Sequence, residues 1–424
     1  MSQFRPPAET TTVSTPAAQH AHAPAEGALR HALSNGITAF LFAATGPLAI
    51  LITVGRSGGL SQADIASWIF GAYGLGGLLT LWMCWRYRQP LGLAWTIPGA
   101  LLLPPALDHL SFAEVIGAYW VTGLLITVLG ASGVVSRVMR RVPMPIVMGM
   151  VAGVFLPLGV RVITAFTELP VVATITLATF VLFTVLPVLG RRVPPVLAAL
   201  LAGVLAALLL GAVQPLGPST GLLATPKLYT PAFSVQALLE LVVPMAVTVL
   251  AIQNAQGFAV LQQAGHSAPV RAVTVACGLG SLPFAAVGSV PTCLTGPVNG
   301  ILVASGERPT HWLGGLVFGV IMVLFGLFAP AATRLALALP MALIGLLGGL
   351  AMLRVLQGAF QSAFRGRCPL GALVAFVVTV ANVPILNIGA PFWGLVFAFV
   401  ASALLERDDL REAMQGRQDA GRVT

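Results

Sequence analysis

Three amides and one carboxylate stand out in this chain because their neighbours are apolar. Gln253, Asn254 and Gln256 fall within a run extending from Val235 to Leu261, and Glu240 lies near its start. Amides deep in an apolar helix face the interior of a bundle, where they bind a ligand or a neighbouring helix. A carboxylate buried in such a run is a group that can take up and release a proton, which makes Glu240 the candidate for proton coupling. Glu240 precedes Asn254 by about four helical turns, so the two share a helix stripe about 21 Å apart, too far for one small ligand to bridge. Two other stretches are apolar but broken: LGLAWTIPGALLLPP, Leu91 to Pro105, and GSVPTCLTGPVNGILVA, Gly288 to Ala304. Neither supplies the roughly 20 uninterrupted apolar residues of a straight membrane helix. Each reads as an extended strand leading into a half-helix, with proline in its first turn. Backbone N–H groups near Pro98, Gly99 and Ala100 on one side and Val298, Asn299 and Gly300 on the other would then meet at the midplane. Each helix start carries about half a unit of positive charge, a setting for an anion. Gly99 would let the backbone approach a ligand, and Thr96, Thr292, Thr295 and Asn299 are candidates for lining or capping. Trp95 and Phe42 would flank an aromatic ring.

Such groups need a protein-lined cavity inside a bilayer, since non-helical backbone is tolerated there only when covered. Composition agrees. At 57% hydrophobic and 8% charged, the chain is far from a soluble domain, which carries about 25% charged residues. It reads as an all-α polytopic membrane protein. Apolar runs fall at Gly36–Val54, Ile65–Trp85, Glu114–Val135, Pro145–Ala165, Val171–Leu189 and Pro195–Val213 in a first half. They fall at Val235–Leu261, Val270–Val287, His311–Leu335, Pro340–Gln357, Gly371–Asn382 and Pro391–Leu405 in a second. A proline-bearing loop, Gln214 to Ser234, separates the halves. Each broken stretch stands third in its half, and paired Gly/Pro interruptions at matching positions mark the midplane site of a transporter built from repeats. Counting them as crossings gives fourteen segments, seven and seven, so the halves are inverted in topology.

Charge tests that count. With both ends inside, only Arg56, Arg161, Lys227 and Arg334 fall outside, and the remaining 18 of the 22 basic residues, Arg354 among them, fall on the inner side. The Lys/Arg bias sets orientation, and dropping either broken segment from the count spoils it. The +9 formal charge therefore reports orientation, not nucleic-acid binding. Residues 1 to about 30, rich in Pro, Ala, Thr and Ser, read as a disordered tail without a signal peptide. His20, His22 and His31 have no geometry there for a metal. Cys84, Cys277, Cys293 and Cys368 are spaced for neither disulfides nor zinc and read as small packing residues.

The motifs resemble a known family. RYRQPLGLAWTIPGALLL, ending at Leu103, is similar to the AW-S/T-x-PGAALL signature of the bacterial benzoate/proton symporter (BenE-type) family. IQNAQGFAVLQQAGHSAPV, Ile252 to Val270, and GAPFWGLVFAF, Gly389 to Phe399, are similar to two further motifs of that family. Gln256 stands where the family has proline, and VPTCLTGPVNG departs from its pattern. The resemblance implies the inverted-repeat fold shared with nucleobase transporters and sulfate permeases. It implies a core domain, residues 31–141 and 234–336, moving against a gate domain, residues 142–213 and 337–405. Residues 214–233 would form a periplasmic loop, and residues 1–30 and 406–424 would be cytoplasmic tails. In the related nucleobase fold the position matching Gln253 carries a substrate-binding acid; an amide donates to a carboxylate without repelling it.

The expectation is a secondary active transporter of the bacterial inner membrane, taking benzoate or a related aromatic or organic carboxylate inward with protons by alternating access. A nucleobase or inorganic-anion transporter on the same fold is the alternative, and a passive anion channel is the alternative of another class. No cofactor is expected, only the proton as coupling ion. The expected partners are a small organic anion and the lipid bilayer, with a homodimer through the gate domain allowed by the fold. No GxxxxGK[ST] is present for ATP drive, and no catalytic constellation suggests an enzyme.

Overall fold

A computed structural model describes residues 26–133, 143–186, 193–216, 221–383 and 390–412, with Val188 and Ile385. It is mostly helical. Among the described residues, 7 helices are long and apolar enough to cross a membrane. We label these and the shorter elements in chain order. The first group comprises α1 (Glu26–Ser57), α2 (Gln62–Tyr87), β1 (Leu93–Trp95), α3 (Ile97–Leu107), α4 (Phe112–Ala131), α5 (Met144–Glu168), α6 (Pro170–Val185) and α7 (Pro195–Leu209). Then follow α8 (Val235–Gln262), α9 (Val270–Ala286), β2 (Thr292–Leu294), α10 (Gly296–Leu302), α11 (Arg308–Leu327), α12 (Ala329–Ala338), α13 (Met341–Phe364), α14 (Pro369–Ala381) and α15 (Ala390–Leu405).

Local chemistry sets the boundaries. Ser61 with Asp64 and Ser111 with Glu114 form capping boxes that start α2 and α4. Each satisfies two N–H groups that no earlier turn can reach. Proline occupies the first turn of α3, α6, α7, α10 and α14. Helix α8 widens into π-helical turns at Leu238–Val242 and Thr248–Asn254, so Gln253 and Asn254 sit in a π segment, a distortion frequent at functional sites.

Several expected boundaries shift. The helix α1 begins at Glu26, so the expected tail ending near residue 30 is too long; its residues 1–25, with His20 and His22, lie outside the described residues. His31 is in α1, with Nδ1 3.2 Å from Ser305 Oγ. The run His311–Leu335 is two helices, because Pro330 in the first turn of α12 cannot continue α11. Residues 407–412 are helical, not a free tail: Glu406 accepts N–H bonds from Leu370 and Gly371 at the start of α14 (2.8 and 2.9 Å). The loop after α7, whose residues 217–220 lie outside the described set, is laid across the helix ends. Ala224, Tyr229 and Ala232 donate N–H bonds to Leu327, Ala286 and Ala113. Lys227 and the Tyr229 hydroxyl both meet Asp64. All four cysteines are free and buried.

Candidate substrate site at the crossing of the broken segments

The two broken stretches meet. β1 and β2 pair antiparallel, Leu93 with Leu294, Ala94 with Cys293 and Trp95 with Thr292, which satisfies backbone groups that have no helix to serve them. Each strand is also held by a hydroxyl from the helix before it. Leu93 N–H donates to Thr80 Oγ1 on α2 (3.0 Å), and Thr292 N–H donates to Ser281 Oγ on α9 (3.1 Å). Side chains then clasp one stretch to the other. Gly92 N–H donates to Asn299 Oδ1 (2.9 Å), the Asn299 amide donates to the Gly92 carbonyl (2.9 Å), and the Thr292 hydroxyl donates to the Ala94 carbonyl (2.7 Å). Asn254 Oδ1 accepts the Leu294 N–H (2.7 Å).

Several residues expected to meet substrate are consumed by this architecture. Asn254 and Asn299 are 1% and 0% exposed and hold strand and crossing. The half-helix starts offer fewer free N–H groups than expected. Pro98 has none, Gly99 N–H donates to Thr96 Oγ1 (3.2 Å), and Ala100 N–H donates to the Thr96 carbonyl (3.0 Å). In α10, Asn299 N–H is taken by the Thr295 carbonyl (3.2 Å), Gly300 is the next residue along the helix, and Val298 is buried at 2% exposure. Gly99 serves packing, not ligand approach: a Cβ there would lie 2.4 Å from Thr96 Cγ2 and 3.3 Å from Thr248 Oγ1. The Thr248 hydroxyl donates to Met245, so the Thr96 hydroxyl donates to Thr248 (3.0 Å), tying α3 to α8. Trp95 is 3% exposed and packs on Tyr73, ring centres 4.5 Å apart. Tyr73 in turn packs on Phe325, 4.8 Å away. Trp95 thus joins α2, β1 and α11 and does not flank a ligand.

Other candidates do converge. A cavity of about 660 Å³ opens beside the crossing, lined by Phe42, Pro98, Gln253, Gln256 and Thr295, with Met148, Val151 and Phe155 of α5 and Met352 and Arg354 of α13 opposite. Its volume is in the range of about 300–1,000 Å³ typical of small-molecule sites. Gln253 is 6% exposed, yet its amide has no hydrogen-bond partner among the described residues; the Thr295 hydroxyl likewise caps nothing. Gly296 lets Gln256 lie against the start of α10, since a Cβ there would come 2.4 Å from Gln256 Cγ. A second groove of about 620 Å³, between α1, α7 and α12, is apolar. Its one polar side chain, Thr45, bonds back to the carbonyls of Leu41 and Phe42.

Glu240 is away from this cavity, in the first turns of α8. It is 4% exposed, with Oε2 2.9 Å from His109 Nε2. Sequence reasoning missed His109, whose position beyond α3 gives no hint of a partner 131 residues later. Arg354, counted above among the inner-side charges and within the run Pro340–Gln357, lies inside α13, which continues to Phe364. Arg137, Arg140, Arg141, Arg191 and Arg192 lie outside the described residues.

Residues 28–404 match the family described as benzoate membrane transport protein, BenE. The chain belongs to the BenE family. Among relatives, it is 32% identical over 381 residues to the inner membrane protein YdcO of Escherichia coli, covering 88% of this chain and 95% of that one. It is 27% identical over 380 residues to a benzoate membrane transport protein of Acinetobacter baylyi, covering 87% and 94%. The fold is similar to the transmembrane domain of a cyanobacterial bicarbonate transporter, BicA, with TM-score 0.62, 17% identity and coverage of 88% and 97%. It is similar also to the murine anion transporter Slc26a9 in an inward-facing state, with TM-score 0.57, 12% identity and coverage of 89% and 68%. As a BenE member the chain is a multi-pass inner-membrane transporter and not an enzyme.

Proposed function

We propose that the protein carries benzoate or a related aromatic or organic carboxylate inward, coupled to protons, by alternating access. The observation that carries this reading is the cavity beside the crossing. One wall presents the unpartnered Gln253 amide, the Thr295 hydroxyl and Gln256, and apart from Arg354 and Ser362 the rest is apolar, with Phe42, Met148, Val151 and Phe155. A carboxylate with an aromatic body fits that division better than bicarbonate or sulfate, which have no apolar part to bury. The name of the Acinetobacter relative agrees with it.

The same reading takes the chain as fourteen segments in two inverted repeats, each with its broken segment third. The matching clasps, Thr80 on β1 and Ser281 on β2, support that symmetry. Helices α1 to α4 and α8 to α12 then form the moving core, α5 to α7 and α13 to α15 the gate, with both termini cytoplasmic and a homodimer formed through the gate. Glu240 with His109 is the proposed proton carrier: a buried carboxylate beside an imidazole holds a proton that either can release.

Uptake of labelled benzoate into proteoliposomes tests the reading. Accumulation above the outside concentration that collapses with a protonophore is the expected result. Simple equilibration would point to a channel, and indifference to benzoate with accumulation of uracil or sulfate would reject the substrate class.

A further inference from the structure

Arg354 is the one charged side chain lining the cavity among the described residues. It sits inside α13, about 15 Å from the helix's C-terminal end at 1.5 Å per residue, and is exposed where it lines the cavity. Its hydrogen bond among the described residues is a 3.2 Å contact from Nη1 to Gln357 Oε1, on its own helix. No acidic side chain lines the cavity with it. An arginine at membrane depth persists where it faces a cavity and meets a counter-charge, and such residues mark substrate paths. Among the described residues no counter-charge lines the cavity. The cavity is also lined by Gln253, a residue 6% exposed whose amide has no hydrogen-bond partner among the described residues, and Thr295, whose hydroxyl is free of the α10 cap. The backbone N–H groups that would otherwise attract an anion at α3 are spent on Thr96.

Resting on the transport reading above, we propose that Arg354 is the specificity-determining residue for the anionic head of the substrate. Its guanidinium holds the carboxylate from α13, while Gln253 and Thr295 hold it from α8 and α10. The carboxylate thus bridges two separately anchored walls. A planar guanidinium and a carboxylate pair through two parallel N–H bonds, so the site selects a monocarboxylate over its neutral amide or alcohol.

The test compares benzoate, benzamide, bicarbonate and sulfate binding by titration of the purified full chain, wild type against Arg354→Gln and Arg354→Lys. The wild type is expected to prefer benzoate to benzamide. Arg354→Gln should weaken benzoate by about tenfold or more, the value of a hydrogen bond to a charged partner, and leave benzamide unchanged. Arg354→Lys, which keeps the charge and loses the fork, should lose less, and it carries the test should Arg354→Gln fail to fold. Benzoate affinity equal to wild type in the Gln variant, or in the Lys variant alone where only that one folds, overturns the assignment and leaves the transport reading standing. A wild type that prefers bicarbonate or sulfate, with that preference lost in Arg354→Gln, keeps Arg354 as the anion ligand and rejects benzoate. A wild type that binds none of the anions overturns both.

Discussion

Replacing Asn299 with alanine isolates the clasp between the broken segments. Asn299 is fully buried, and its amide makes three bonds: from Gly92 N–H (2.9 Å), to the Gly92 carbonyl (2.9 Å) and to the Thr295 carbonyl (2.6 Å). In Asn299→Ala the two carbonyls keep a partner, because Gly92 still accepts Thr295 N–H (3.4 Å) and Thr295 still accepts the N–H of residue 299 (3.2 Å). Gly92 N–H keeps none. A stranded buried donor costs about 1–3 kcal/mol and each of the two other lost bonds about 1 kcal/mol, so the variant should lose about 3–5 kcal/mol. At an unfolding entropy of about 2.1 cal/mol/K per residue, 1 kcal/mol moves the midpoint of a chain of 424 residues by about 1 °C. Thermal melting in detergent should therefore fall by about 3–6 °C. Benzoate uptake should fall further than that loss of folded protein explains, because β1 and α10 no longer share an anchor. Asn299→Asp keeps an acceptor for Gly92 N–H but turns a second oxygen toward two carbonyls, and should be at least as damaging. A variant pair melting within about 1 °C of wild type with normal uptake would refute the clasp.

Gly296→Ala should displace Gln256, whose Cγ and Cδ lie 2.4 and 2.5 Å from the added carbon. Substrate affinity should fall with little change in melting, because an exposed glutamine can swing away. Gly300→Ala, whose nearest neighbour is 3.7 Å off, should be silent in the same binding assay, and equal losses in both would remove Gln256 from the site. Glu240→Gln should abolish the pH dependence of uptake while leaving benzoate exchange intact; unchanged pH dependence would dismiss the Glu240–His109 pair as carrier. Outside the helices, His266 Nε2 lies 3.0 Å from His311 Nδ1, and burial, with His311 and Arg308 nearby, holds His266 down at about 4. Between that value and the ordinary 6.5 the unfolded chain binds the extra proton, so stability is full above about pH 6.5 and declines toward pH 4. Melting measured from pH 7.5 to 4.5 should show that decline flattened in His266→Gln, and parallel curves would exclude the pair as its source.

What was legible in the sequence follows from the range of the forces involved. Apolar run length and Gly/Pro interruption are local, so the broken stretches and the long helices could be read directly. The role of each polar residue was not, because it depends on a partner far along the chain: Asn254 on Leu294, Asn299 on Gly92, Glu240 on His109. Trp95 reads equally as a ligand platform or as packing until Tyr73 is seen 4.5 Å away. Arg354 reads as one of the inner-side charges until the cavity it lines with Gln253 and Thr295 is seen.

That pattern changes where anion recognition is to be sought. A dipole-based site needs free N–H groups at the helix starts, and α3 has given Gly99 and Ala100 to Thr96. Its first piece is also only Ile97–Ala100, four residues, too short to build the aligned dipoles of a long helix. The backbone at the crossing is thus spent on holding itself together, which a membrane interior demands of any non-helical segment. On the proposed reading, recognition falls to side chains that the architecture leaves unused, Gln253, Thr295, Gln256 and Arg354, all of which line the cavity. These can change without breaking the strand pair or its clasps. Gln256, which lines the cavity and lies against Gly296 at the start of α10, can be exchanged for the proline of the motif it resembles. Exchanging Gln256 for proline should therefore alter the ranking of carboxylates in the binding assay while Asn254 and Asn299 keep the crossing folded, and an unchanged ranking would place selectivity elsewhere in the cavity.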